Sequence, residues 1–241
     1  MFPGLYHDIG KRARDLLYRG YAQQPPNLCQ FQGFDCSLDI SCRIGDIAPG
    51  LRTLFNLDIP DSARVELQYL GDYAGITGGL GMKGNPITGY KPLINLSGVV
   101  GSDFLSLGTD LAFDISTRTL NKVNAGLSFN SDFLNASINL NDMLDTWKVS
   151  CCRIINPPTS TAVAAELKHT FSVNDTALTI GGQHAIFPFT LLKARLSTYG
   201  RAGALIQQEL FEKLVLTIGG ELDFMDIRRV PKLGLSVAFN L

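Results

Sequence analysis

The sequence predicts an all-β protein of antiparallel strands, and four observations carry that prediction. Hydrophobicity alternates at a period of two over most of the 241 residues, the mark of strands with two unlike faces. The alternating segments run about nine to eleven residues, the length of a tilted membrane crossing. Turn-forming stretches such as FNSDF, LNDMLD and INPPTS separate them. Finally, only one segment follows the helical period, so no helix is available to connect parallel strands, and sequence neighbours must pair antiparallel.

The helical segment comes first, at residues 4–19. Leu5, Ile9, Ala13, Leu16 and Leu17 recur at the 3.6 period, while Asp8, Lys11, Arg12, Arg14 and Asp15 cover the other side. Pro25 and Pro26 then forbid continuation. From there the strands follow in order. Phe34, Cys36, Leu38 and Ile40 alternate with Asp35, Ser37, Asp39 and Ser41. Leu51, Phe55, Leu57 and Ile59 alternate with Arg52, Asn56 and Asp58. Ala63, Val65, Leu67 and Tyr69 alternate with Arg64, Glu66 and Gln68.

Further along, Val123, Ala125, Leu127 and Phe129 alternate with Asn124, Gly126, Ser128 and Asn130. Leu134, Ala136, Ile138 and Leu140 then face away from Asn135, Ser137, Asn139 and Asn141. Fifteen segments are expected in this way: 34–42, 51–59, 63–71, 74–82, 93–101, 105–114, 122–130, 134–141, 146–155, 161–171, 176–183, 190–198, 202–210, 213–222 and 231–241. The stretch 43–50, RIGDIAPG, reads as a missing or reduced strand.

Two architectures suit such a run: a soluble sandwich with the apolar face inside, and a membrane barrel with the apolar face towards lipid. Three features favour the barrel. The polar face is rich in Gly, Ser, Thr and Asn rather than Lys and Glu. The strand length fits the bilayer. The last strand, KLGLSVAFNL, ends the chain with an unpaired edge that closure would remove.

Composition narrows the function. Apolar residues make up 45% and charged residues 18%, and the net charge is −1, a balance unlike that of a nucleic-acid binder. Cys29, Cys36, Cys42, Cys151 and Cys152 form no CxxC pair, and the three histidines lack zinc spacing; all five thiols read as small packing residues, with Cys151 and Cys152 on opposite faces of one strand. GLGMKG at 79–84 fits G-x-G-x-x-G, but Asn85 and Pro86 follow where a dinucleotide site needs a helix to open. His169 falls near a strand end and His184 in or near a turn. Glu221 and Asp223 share a polar face as solvated carboxylates. No nucleophile is placed beside a base, so neither an enzyme, a cofactor nor a metal is expected.

Several stretches resemble the eukaryotic mitochondrial porins, most closely the plant voltage-dependent anion channels: GLYHDIGKRARDLLYRGY, VELQYLGDYAGI, LSGVVGSDFLSLGTDLAF, LKHTFSVNDTALTIGGQHA and LLKARLSTYGRAGALIQQE. Residues 184–206 fit the family signature at His184, Pro188, Thr190, Ala194, Arg195, Leu196 and Gly203, and depart at Phe187, where the family usually has Asp. The resemblance spans residues 4–19 and about 33–241. It implies a transmembrane antiparallel β-barrel of about nineteen strands in the family, a parallel closing pair, and an N-terminal helix in the pore. The division implied is a helix over 1–20, a linker over 21–33 and a barrel over 34–241. Three strands are absent between Tyr21 and Phe34, and a fourth near 43–50.

The function implied is a voltage-gated, weakly anion-selective channel of the mitochondrial outer membrane. Small anions, nucleotides and metabolites would be its permeants and the lipid bilayer its partner; a homo-oligomer is compatible with this. Carried over by position, Lys11, Arg12, Arg14 and Arg19 are the helix charges. By alternation Arg52, Arg64, Lys122, Lys148, Lys168, Lys193 and Arg195 face the lumen. So do Asp35, Asp39, Asp58, Glu66, Asp110, Asp114, Glu166, Glu209, Glu221 and Asp223, which leaves selectivity weak. Gly50-Leu51-Arg52 resembles a nucleotide-associated triplet of the family, with Arg in place of Lys. Lys232, Gly234, Val237 and Phe239 match its sorting signal. The alternative reading is a non-conducting or incompletely closed barrel paralogue that acts as an interaction partner.

Overall fold

A computed structural model describes residues 3–21, 38–48, 50–59, 62–85, 89–187, 189–211, 214–225 and 232–239. Fifteen strands form one sheet in strict chain order, and every pairing with a defined register is antiparallel. They are β1 (Leu38–Ala48), β2 (Leu51–Ile59), β3 (Ser62–Leu70), β4 (Ala74–Asn85), β5 (Gly89–Gly101), β6 (Leu105–Asp114), β7 (Thr119–Asn130), β8 (Leu134–Asn141), β9 (Thr146–Asn156), β10 (Thr161–Thr170), β11 (Asp175–Phe187), β12 (Thr190–Ser197), β13 (Arg201–Phe211), β14 (Leu214–Asp223) and β15 (Lys232–Phe239).

The expected segments match these strands to within a few residues, with two differences. RIGDIAPG is not a lost strand: β1 continues through Ala48 and pairs with Leu51 across a tight turn. Gly50 there has φ +78°, and its carbonyl accepts the amide of Leu70 at 2.8 Å. β11 runs four residues beyond its expected end, placing His184 inside a strand opposite Leu192 rather than in a turn. GLGMKG lies wholly within β4, so no helix opens there. Residues 34–37, 240 and 241 and almost all of the expected linker 21–33 lie outside the described residues, as does Pro188.

The N-terminal helix is shorter than its periodicity implies. Residues 6–8 form a single 3₁₀ turn, Gly10 takes a left-handed conformation (φ +67°), and α1 spans only Lys11–Leu17. Glycine adopts that conformation without a Cβ clash, and it interrupts the i→i−4 ladder. The apolar spacing runs straight through the break because Ile9 and Ala13 are both buried on either side of it. Among the described residues no helix is long and apolar enough to cross a membrane, which says nothing about strands.

The chain divides into two compact units, one of residues 1–9, 31–130 and 137–147, the other of 10–30, 131–136 and 148–241. Each has the same inverted pattern. In the first, Ser106, Asp114, Asn124 and Ser128 are buried while Leu67, Leu80, Leu96, Leu105 and Leu107 are exposed. In the second, Ser150, Glu166, Thr179, Lys193, Arg195 and Glu221 are buried while Ile180, Leu196, Ile206, Leu222 and Leu235 are exposed. A water-soluble sandwich would bury the second set and expose the first, since apolar area leaves water at about 25 cal/mol per Å². The sheet is built for an apolar solvent on one side.

Candidate functional site

In the first unit the stretch from Gly4 to Ile9 lies on the polar face. The 3₁₀ turn packs against β5 and β6. Polar-face glycines make room for it. A Cβ on Gly75 would fall 2.5 Å from the carbonyl of Gly4, one on Gly108 3.0 Å from the Tyr6 ring, and one on Gly126 3.1 Å from Ile9. Around it the polar face pairs its own charges. Arg64 bonds Glu66, and Lys122 lies 2.5 Å from Asp110. Ser106 and Ser128, directly opposite in register, share a 2.7 Å hydroxyl contact. Arg52 is exposed on β2 beside Gln68. A side chain at Gly50 would strike the Leu70 carbonyl at 2.5 Å, so this glycine has a backbone reason to be there.

In the second unit α1 lies against β10, β11 and β12. Its apolar stripe of Ala13, Leu16 and Leu17 closes a cluster with Cys152, Ala162 and Ala164. Burying each leucine is worth about 1.5–3 kcal/mol relative to exposure. Cys152 is only 3% exposed, whereas Cys151 faces the apolar side and is exposed. The two thiols therefore point to opposite faces as expected, but only Cys152 is a packing residue. The side chains of Cys29, Cys36 and Cys42 lie outside the described residues.

The end of α1 is held by charge. Lys193 donates to the carbonyl of Asp15 at 3.2 Å, and Arg195 donates to the carbonyl of Leu17 at 2.9 Å. These carbonyls lack helical partners and carry the negative end of the helix dipole, so cations suit them. Arg195 also bonds Glu221 at 3.2 Å, and its guanidinium stacks 4.4 Å from the Tyr21 ring and 5.4 Å from that of Tyr18. The Tyr18 hydroxyl donates to Glu166 at 2.6 Å, and Lys148 stands 3.3 Å from the same carboxylate. Burial pushes the Tyr21 phenol up to about 12. Burial and the bond to Glu166 raise that of Tyr18 further.

Lys193 and Arg195 are thus 8% and 7% exposed because the N-terminal segment covers them; they do not stand in open solvent as alternation alone suggested. Glu221 is likewise no solvated carboxylate beside Asp223 but the buried partner of Arg195. Lys168 is exposed at the rim of a cavity of about 150 Å³ that Tyr18, Glu166, Thr179, Arg195 and Tyr199 also line. Lys11, Arg12, Arg14 and Arg19 are all exposed on the far side of the segment, Arg19 lying 3.8 Å from Asp15.

Sequence reasoning missed Tyr18, Tyr21, Gly181 and Gly203. The missed signal is the run of small residues at polar-face positions: Cys152, Ala162, Ala164, Gly181 and Gly203 trace where the segment lies. On β15 Leu233, Leu235 and Val237 are exposed on the apolar face, with Gly234 and Ser236 alternating between them. The side chains of Lys232 and Phe239 lie outside the described residues. Among the described residues, no group of three His, Cys, Asp or Glu is placed to hold a metal.

Comparison with known proteins agrees with this geometry. A family model described as eukaryotic porin matches residues 24–234. The 36 kDa mitochondrial outer membrane porin of Solanum tuberosum is 41% identical over 277 aligned positions, covering 99% of this chain and 98% of the relative. Porin 1 of Arabidopsis thaliana is 38% identical over the same coverage, and an outer plastidial membrane porin of Pisum sativum 35%. With 277 aligned positions and 241 residues, at least 36 positions have no counterpart here. Among solved structures, a chain from work on asymmetric conductivity of engineered proteins matches with a TM-score of 0.52 at 10% identity, covering 85% of this chain and 96% of that one. A mutant porin of Rh. blastica matches with 0.51 at 10% identity and the same coverage. At such identity these two bear on fold alone. Inverted burial, the ordered antiparallel strands and near-complete coverage of the plant relatives converge: the chain belongs to the eukaryotic porin family.

Proposed function

We propose that the chain is a passive channel of the mitochondrial outer membrane through which small hydrophilic anions, nucleotides and metabolites diffuse, with weak anion preference and voltage-dependent closure involving the N-terminal segment. The inverted burial of the sheet carries the reading: an apolar outer face needs lipid, and a polar face lined by paired charges needs water. Four exposed cations on the covered segment (Lys11, Arg12, Arg14 and Arg19) supply a field sensor and a mild anion bias, while the Arg64–Glu66 and Lys122–Asp110 pairs largely cancel one another. The division into helix, linker and barrel and the parallel closure of β1 with β15 belong to the same proposal. So does a sorting role for Lys232, Gly234, Val237 and Phe239; mitochondrial targeting follows most of the similar relatives, though one cited above is plastidial.

Purified protein in a planar bilayer tests the reading. Stepwise conductance is expected, with a reversal potential in a salt gradient only slightly on the anion side, and larger steps once residues 1–20 are deleted. A strongly anionic reversal potential contradicts the charge balance. The specific observation behind the alternative, a non-conducting barrel acting as an interaction partner, is the shortened chain; complete absence of conductance from inserted protein would favour it.

A further inference from the structure

We propose that Gly203 and Arg195 form a fitted seat for Tyr21, and that this seat, rather than the charges of α1, fixes where the N-terminal segment docks. The proposal deepens the channel reading and rests on it for its consequence, though not for its geometry.

The seat is one row of the sheet. Register places Ala164 of β10 opposite Gly181 of β11, Gly181 opposite Arg195 of β12, Arg195 opposite Gly203 of β13, and Gly203 opposite Glu221 of β14. Arg195 is thus the one large side chain between two glycines. Adjacent strands lie about 4.8 Å apart, so Arg195 and Glu221 stand two strands from each other, with Gly203 between. The 3.2 Å bond between them exists because nothing projects from Gly203. A Cβ there would lie 3.2 Å from the Arg195 Nε and 2.9 Å from the Tyr21 Cδ1.

The Tyr21 ring lies over the guanidinium at 4.4 Å, and Tyr21 is 5% exposed. On the other flank, a Cβ at Gly181 would fall 2.7 Å from Leu17 Cδ2. Ring and guanidinium therefore both rest on Gly203, and its empty side-chain position is what lets the two settle against each other. The four cations Lys11, Arg12, Arg14 and Arg19 are exposed and none belongs to this stack. A guanidinium suits the arrangement because its planar fork stacks on a ring while bonding in plane.

Cys152 provides a native reporter, since α1 covers its thiol. In full-length protein with Cys29, Cys36, Cys42 and Cys151 changed to Ser, Gly203→Ala is expected to raise the rate of Cys152 labelling by a charged methanethiosulfonate roughly tenfold, the usual scale of overpacking by one methyl. In a Tyr21→Ala background, which removes the ring but leaves Arg195, the same substitution should raise labelling several-fold less than in the parent, as a double-mutant cycle of a direct contact requires. Unchanged labelling by Gly203→Ala in the parent overturns the proposal. An equal rise in both backgrounds overturns it too, since the methyl would then act without the ring. The readout needs no current, so a protein that labels as expected yet never conducts would refute the channel while leaving the seat in place.

Discussion

Replacing Arg195 with glutamine removes four interactions together: the bond to the Leu17 carbonyl, the pair with Glu221, and the stacks on Tyr18 and Tyr21. Glu221 then remains 8% exposed with its cation gone. Breaking one side of a buried ion pair costs about 3–5 kcal/mol. The lower figure alone shifts the docked population by a factor of about 100, comparable to what burial of Leu16 or Leu17 contributes. Labelling of Cys152 should accelerate accordingly. Arg195→Lys should resemble the glutamine variant more than the parent, because an ammonium keeps the charge but neither spans Gly203 in plane nor stacks as a fork. The double change Arg195→Met with Glu221→Leu should recover most of the protection, since an apolar pair can replace a buried ionic one. If Arg195→Gln leaves Cys152 protected and only moves the reversal potential towards cations, Arg195 is a permeation charge and the packing argument is wrong.

Three further outcomes follow from the same geometry. The Tyr21 phenol, raised by burial, has a folded value above its unfolded value near 10, so its contribution to docking is complete below about pH 10 and is lost as pH rises towards about 12; tyrosinate absorbance should titrate late in the parent and earlier in Gly203→Ala, which unseats the ring and keeps the Arg195 charge. Gly75→Ala should displace the start of the chain, because its methyl would meet the Gly4 carbonyl at 2.5 Å; a cysteine placed at residue 5, which is half-buried, would become more reactive, and unchanged reactivity would argue against that contact. Arg52→Ala should weaken nucleotide block of the current if the Gly50-Leu51-Arg52 resemblance has functional meaning, and an identical block would leave Gly50 as a turn residue only.

How much of this was legible before the structure depends on which physical rule encodes it. Strand positions were, because a period of two is written residue by residue, and β6 and β8 match to the residue. The break at Gly10 was not, since the apolar stripe of Leu5, Ile9, Ala13 and Leu16 continues through it and a left-handed glycine leaves the spacing unchanged. Alternation put Lys193, Arg195 and Glu221 on one face of the sheet but could not say what covered them, because coverage comes from a segment more than 170 residues away in sequence. An amphipathic helix needing a partner and a row of small residues on a polar face were both visible; joining them required the register of β10 to β14.

The strand count itself has a consequence for how such a protein can shrink. Against a family norm of about nineteen strands, the described residues hold fifteen, and 36 or more aligned positions of the relative have no counterpart here. Loss of strands in adjacent pairs leaves each remaining strand pointing the way it did before, so both chain termini keep the side of the membrane they had. An odd loss would carry one terminus across the bilayer and turn a parallel seam antiparallel. The hairpin, not the strand, is therefore the smallest piece this architecture can discard without reorienting everything that follows it.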